Sequence, residues 1–253
     1  VGMDETTMTG TLYGLGVGPG DPELLTLKAH RILTACPVVA YPAPDTGESF
    51  ARSVVAGYLS PYQVEIPIVV PMRVERFPAA EVYDRAADEI AGQLDAGRDV
   101  AVVCEGDPFF YGSFMYLFER LGPRYRTEIV PGVSSVMASA AALQRPLAAR
   151  NDVLTVIPGP LRDAEMETRI LNSDALAIMK VGRHFARIRK LIDKLGLLDV
   201  AGYCERVSLG DEKILPLESV TADTAPYFSM ILIYKGAEDW IRALPAGGGQ
   251  HAD

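Results

Sequence analysis

The chain is poor in the residues that build disulfide frameworks, zinc sites and basic nucleic-acid surfaces: 253 residues include three cysteines, three histidines and one tryptophan. Cys36, Cys104 and Cys204 lie far apart with no C-x-x-C pair, so neither a disulfide framework nor a zinc ligand set is expected. A reduced, intracellular protein is the simplest expectation. His30, His184 and His251 have no ligand spacing, so no bound metal is expected. Positive charge is also scarce, with 24 Lys and Arg against 33 Asp and Glu, a formal charge of −9. That balance argues against general attraction to nucleic acid or to an anionic membrane. No apolar run approaches the ~20 residues of a membrane span, and residues 1–10 carry Asp4 and Glu5 without an apolar core, so no secretory signal is expected. The expectation is a soluble cytoplasmic protein.

What is present is ordinary in bulk, at 49% hydrophobic and 23% charged residues, which excludes disordered, collagen-like and coiled-coil architectures. The 23 glycines and 18 prolines imply many short elements, and the length allows one domain or two. The first half alternates regularly. Thr11 to Gly16 is a short apolar run, a Gly/Pro loop follows, and Leu25, Ala29, Ile32 and Leu33 then recur on one helical face. Val38 to Tyr41 is a second strand, expected to end at Pro42, and Val64 to Ile68 a third. Ala79 to Ala96 reads as a helix capped by Gly97, and Asp99 to Cys104 as a central strand buried on both faces. A helix through Tyr116 to Leu121, a strand at Thr127 to Val130 and an Ala-rich helix from Ser134 to Leu143 complete a mainly parallel α/β sheet.

The segment 145–152, with Pro146 and Asn151, reads as a linker between an N-terminal α/β domain at 11–144 and a C-terminal one at 153–245. Three later runs, Val200 to Cys204, Lys213 to Leu217 and Phe228 to Tyr234, have no long helix between them, which predicts antiparallel pairing and a mixed second sheet. Residues 1–10 and the glycine-rich tail 246–253 are expected to be disordered.

Three loops stand where chemistry is expected, at the carboxyl ends of strands in one sheet. The first is Y-G-L-G-V-G-P-G-D-P, Tyr13 to Pro22. Pro19 and Asp21 occupy the places where a dinucleotide G-x-G-x-x-G would need its third glycine. Its G-x-G-x-G fits the common Rossmann-like methyltransferases, but the acidic residue they need after the second strand is replaced by Tyr41 and Pro42. The second is C-E-G-D-P-F-F-Y-G-S, Cys104 to Ser113. There Gly106 allows close backbone approach, and Asp107 either accepts from a ligand or serves as a turn and cap. The third is P-G-V-S-S, Pro131 to Ser135, which alone reads as a helix N-cap.

Order and spacing together resemble the tetrapyrrole methylase family, S-adenosylmethionine-dependent enzymes distinct from the Rossmann-like ones. The resemblance runs from Thr11 to Arg242. Within the family, D-P-F-F-Y-G-S-F-M-Y-L and P-Y-F-S-M-I-L-I look like the branch that methylates precorrin-2 at C-20, giving precorrin-3A on the route to cobalamin. Cobalt-factor II as substrate, or another corrinoid carbon, stays open, and so does a carrier without turnover.

The resemblance implies two α/β domains, the cofactor in the cleft between them, and a homodimer. It implies cofactor contacts from Pro19, Glu105, Gly106, Asp107, Phe110, Ser134 and Ser135, and from Met179, Val207, Tyr227 and Phe228. Related uroporphyrinogen methyltransferases have an acid/base Asp where this chain has Pro42, so no catalytic carboxylate carries over. Tyr41, Asp21 and Glu105 are the candidates for a later proton loss. A substrate with eight carboxylates needs a locally basic site in this acidic chain, with Lys28, Arg31, Arg73, Arg76, Arg150, Lys180 and Arg183 as candidates.

Overall fold

The computed structural model describes residues 9–70 and 78–243. Arg73, Arg76, His251, residues 1–8 and the tail 246–253 lie outside the described residues. The chain divides into two compact units at Ser134/Ser135.

The first unit holds strands β1 (Leu12–Gly16), β2 (Val38–Ala43), β3 (Val64–Val69), β4 (Val100–Cys104) and β5 (Thr127–Val130), all parallel, in the order β3-β2-β4-β1-β5. Its helices are α1 (Leu27–Ala35), α2 (Phe50–Val55), α3 (Pro78–Asp95) and α4 (Phe114–Leu121). Alternation along the strands sends side chains to two cores. Val38, Ala40, Val100, Val102 and Cys104 pack with Ile90, Leu94, Leu117 and Leu121 of α3 and α4. Val39, Tyr41, Ala101 and Val103 pack with Ala29, Leu33, Ala51 and Val54 of α1 and α2. This double covering is why β4 reads as a continuous apolar run.

Three details differ from expectation. First, α2 has no counterpart in the sequence reading, being only six residues long, with Ser49 as N-cap accepting from the Arg52 amide. Second, β2 continues through Pro42. Carbonyls of Pro37 and Ala43 accept from Val64 and Val70, so odd-numbered residues of β2 face β3 and Pro42 faces the other side. Pairing with β4 there ends at Ala40, so the missing N–H of Pro42 breaks no ladder bond. The Ser49 hydroxyl takes up the Pro42 carbonyl at 2.5 Å. Third, Gly10, assigned above to a disordered segment, is buried and donates to the Leu94 carbonyl at 2.8 Å.

The second unit holds α5 (Ser135–Ala142), β6 (Leu154–Pro158), α6 (Asp163–Leu171), β7 (Ala175–Met179), α7 (Phe185–Lys194), β8 (Ala201–Glu205), β9 (Lys213–Pro216), β10 (Ser229–Tyr234) and α8 (Asp239–Arg242). The sheet order is β6-β7-β10-β8-β9, with only β6 and β7 parallel, as short connections between the last strands predict. Helices α6 and α7 cover one face through Met166, Ile170, Phe185, Ile188 and Ile192. Val136 of α5, with Leu143, covers Ala177, Met230 and Leu232 on the other. Helix α5 therefore belongs with the second unit, whereas the sequence reading ended the first domain at 144. Residues 145–152 are packed rather than linker-like. Buried Arg145 donates to the Val200 carbonyl at 2.7 Å, and Asp152 accepts from the Tyr234 hydroxyl at 2.7 Å.

Candidate active site

The three glycine loops of the first unit meet backbone to backbone. Val17 donates to the Cys104 carbonyl at 2.9 Å, and Gly18 and Gly106 exchange bonds at 3.3 and 2.8 Å, an antiparallel bridge beyond the parallel strands. A Cβ on Gly132 would lie 2.0 Å from the Gly106 carbonyl oxygen, and one on Gly16 would lie 2.5 Å from the Gly132 nitrogen. Side chains at 16 and 132 are thus excluded by backbone, which nothing local in the sequence requires. Gly106 differs: it has φ of 62°, and a Cβ there would meet nothing closer than Ser134 Cα and the Val133 carbonyl at 3.9 Å. Its face is open to a ligand.

Asp107 ties this meeting together. One carboxylate oxygen accepts from the Phe109 and Phe110 amides at 2.9 and 3.0 Å, and the other from the Gly132 amide at 3.0 Å. Both readings of Asp107, cap and contact, were open; the structure gives the carboxylate three backbone partners that join the second loop to the third. Behind it, Glu105 lies against its own amide and that of Ala51 near the start of α2, and burial pushes its carboxyl above the usual glutamate value.

The second unit gathers another set. Because β10 runs antiparallel to both β7 and β8, the ends of β7 and β8 share an edge with the start of β10, pairing Met179 with Met230 and Glu205 with Ser229. Met179 and Val207 pack beside Met230. The Arg206 amide donates to the Phe228 carbonyl at 2.8 Å, bringing Val207 to the Tyr227–Phe228 pair, whose rings meet edge to face at 5.2 Å. Tyr227 is 61% exposed and Phe228 42%, so neither is the core residue that its apolar neighbourhood in sequence suggests. Glu205, 6% exposed, accepts from the Tyr203 hydroxyl at 2.9 Å and pairs with Lys213 at 3.0 Å. Burial first, then Glu205, pushes the Tyr203 hydroxyl up to about 12.

Residues 11–221 match the family model of Tetrapyrrole (Corrin/Porphyrin) Methylases. The chain belongs to this family. It is 42% identical over 246 residues to the cobalamin biosynthesis protein CobIJ of Mycobacterium tuberculosis, which covers 94% of this chain and 48% of that protein. The chain thus spans about half the length of that relative. It is 40% identical to a precorrin-2 C(20)-methyltransferase from Sinorhizobium sp, over 88% of this chain and 95% of the relative. Among solved structures, the uroporphyrin-III C-methyl transferase of Thermus thermophilus complexed with S-adenyl homocysteine is 26% identical with a TM-score of 0.62, over 88% of this chain and 97% of that one.

Within this member of the family, the first unit places Gly106, Asp107 and Ser134 together, with Pro19 next to the bridge residue Gly18. Phe110 follows Asp107 in the same loop, and Ser135 opens α5. Of the proton-transfer candidates, Glu105 lies against the Ala51 amide, and Tyr41 packs in the core that includes Ala51. Asp21 accepts from the Glu23 amide at 2.8 Å and caps a short turn at Pro22–Leu24. Tyr41 lies beside the bidentate Arg52–Glu65 pair, at 2.5 and 2.9 Å; burial, then Glu65, raises its pKa, which makes it a weaker acid and leaves tyrosinate scarcer. Among the basic candidates, Lys28 pairs with Glu128 at 2.5 Å and Arg150 with Glu238 at 2.7 Å. Arg31 is exposed on α1, Lys180 follows β7 with φ of 57°, and Arg183 is exposed at the approach to α7. No group of three metal-ligating side chains occurs among the described residues. No helix among them is long and apolar enough to cross a membrane.

Sequence reasoning missed two features, the α2 start beside Glu105 and the Tyr203–Glu205–Lys213 cluster. Ser49 was the available signal for the first. The second depends on cross-strand register and leaves none.

Proposed function

We propose that this methylase transfers a methyl group from S-adenosylmethionine to C-20 of precorrin-2, giving precorrin-3A. The observation that carries the reading is the 40% identity to the Sinorhizobium precorrin-2 C(20)-methyltransferase, which this chain matches over 95% of its length. The open face at Gly106, framed by Val133 and Ser134, supports a ligand that approaches backbone.

When bound, S-adenosylmethionine supplies an electrophilic methyl on a sulfonium; the C–S bond breaks with its electron pair going to sulfur, as an electron pair of the acceptor carbon forms the new C–C bond. A meso carbon conjugated to pyrrole nitrogens is electron-rich, so the protein's task is in-line positioning, worth several kcal/mol. Gly106 leaves room, Pro19, Glu105, Phe110, Ser134 and Ser135 line the cofactor, and Asp107 holds the loops in register. Met179 faces the cofactor, and Val207, Tyr227 and Phe228 enclose the adenine. The loss of a proton after transfer falls to Glu105 or Asp21 ahead of Tyr41, whose raised pKa keeps its hydroxyl protonated. A homodimer and a cytoplasmic location belong to the same reading, and sedimentation checks the first.

The test is incubation of purified protein with methyl-labelled S-adenosylmethionine and either precorrin-2 or its cobalt form. Label recovered on C-20 supports the proposal. Label at another carbon, or none on either substrate, overturns it.

A further inference from the structure

In an acidic chain, the segment 180–192 carries Lys180, Arg183, Arg187, Arg189 and Lys190 and no Asp or Glu. It begins where β7 ends at Met179, passes through the turn Gly182–His184, and enters α7. Arg187 and Arg189 are engaged within the second unit. Arg187 binds Asp163 of α6 and the Gly159 carbonyl, and Arg189 donates to the Glu218 carbonyl at 3.1 Å. Arg183 has no carboxylate partner among the described residues; its Nε donates to His184 Nε2 at 3.5 Å, which orients the guanidinium and leaves its terminal amino groups for an anion.

This placement is locally unfavourable. Cations repel the positive end of a helix, and the first turn of α7 has no acidic residue and no side-chain cap. Burial first, and then the charges of Arg187 and Arg183, holds the His184 imidazole below its usual range. Violations of a local rule concentrate where function compensates for them.

We infer that Arg183 and His184 form a carboxylate subsite for the tetrapyrrole, Arg183 supplying the charge and the terminal N–H donors and His184 orienting the guanidinium by accepting from its Nε. The inference rests on the proposed function for its ligand class, a polycarboxylate macrocycle. Lys180 adds long-range attraction. The subsite acts on the macrocycle and not on the cofactor, so the two affinities separate in its variants.

The probe is uroporphyrin III, a stable octacarboxylate, titrated against the full chain by fluorescence, with the octamethyl ester as the uncharged control. Arg183→Gln is expected to weaken uroporphyrin binding about tenfold, the size of one charge-assisted contact, and Arg183→Lys to recover part of that loss. His184→Gln is expected to weaken binding by a smaller factor. Affinity for S-adenosylhomocysteine stays at the wild-type value in all three, which reports an intact fold. Unchanged uroporphyrin affinity in Arg183→Gln, an equal loss for the ester, or no binding by wild type overturns the subsite. Turnover with precorrin-2 is measured beside it. Wild-type turnover with an unchanged KM in Arg183→Gln sinks the subsite alone, whereas weakened uroporphyrin binding without wild-type turnover sinks the assigned reaction and leaves the subsite standing.

Discussion

Replacing Asp107 by Asn separates a structural tie from a ligand contact. In the native loop one carboxylate oxygen serves the Phe109 and Phe110 amides and the other serves the Gly132 amide. Asparagine keeps one acceptor, which goes to the pair of amides, and turns an NH2 group toward the Gly132 N–H, donor against donor. The lost bond is charge-assisted and only part-buried, so the loss lies near the lower end of the ~1.5–3 kcal/mol range for such bonds, about 2 kcal/mol. For a chain of this length about 2 kcal/mol lowers Tm by ~4–8 °C. Alanine removes all three bonds and adds about 1 kcal/mol, because the Phe109 and Phe110 amides are exposed and turn to water. Thermal melting by circular dichroism and calorimetric titration with S-adenosylhomocysteine, run on the same preparations, give both quantities. A D107N protein that melts with wild type yet binds cofactor weakly refutes the reasoning, because the carboxylate would then serve the ligand and not the loops.

Ser49→Ala removes the acceptor for the Arg52 amide and the donor to the Pro42 carbonyl; a loss of ~1–2 kcal/mol is expected. It reads out as a lower urea midpoint and faster exchange of the Arg52 amide, and an unchanged midpoint counts against the account of Pro42. Tyr203 has a folded-state pKa of about 12 against an ordinary value of 10.0. Its contribution to stability is therefore complete below pH 10 and lost as pH rises from there through about 12. Ultraviolet titration of tyrosinate in wild type should show a late step that Tyr203→Phe removes; identical curves for the two proteins would dispose of the Tyr203–Glu205 pairing.

Much was legible before any coordinates, because periodicity is a local property. The alternating strands and helices follow from which residues repeat at two or at 3.6 positions, the doubly buried β4 from its continuous apolar run, and the antiparallel end of the second sheet from its short connections. The three glycine loops were also visible, and their order identified the family. Pro42 misled because a proline stops a strand only on a paired side, and pairing is non-local. Arg145 and Asp152 misled because a polar, proline-containing segment looks like a linker unless its partners are known.

The sequence by itself determined the family, the alternation of strands and helices along the chain and the residue types at the loops. Tertiary structure decided which of those residues touch. Gly16, Gly106 and Gly132 are far apart in the chain, and only the order β4-β1-β5 sets their strands side by side so that backbone meets backbone. The same holds for Asp107, whose partner at Gly132 belongs to the next strand's loop, and for α5, whose apolar residues find their cover on a sheet formed later in the chain. Local patterning selects elements; contacts between distant loops come from register and strand order, which no window of sequence contains.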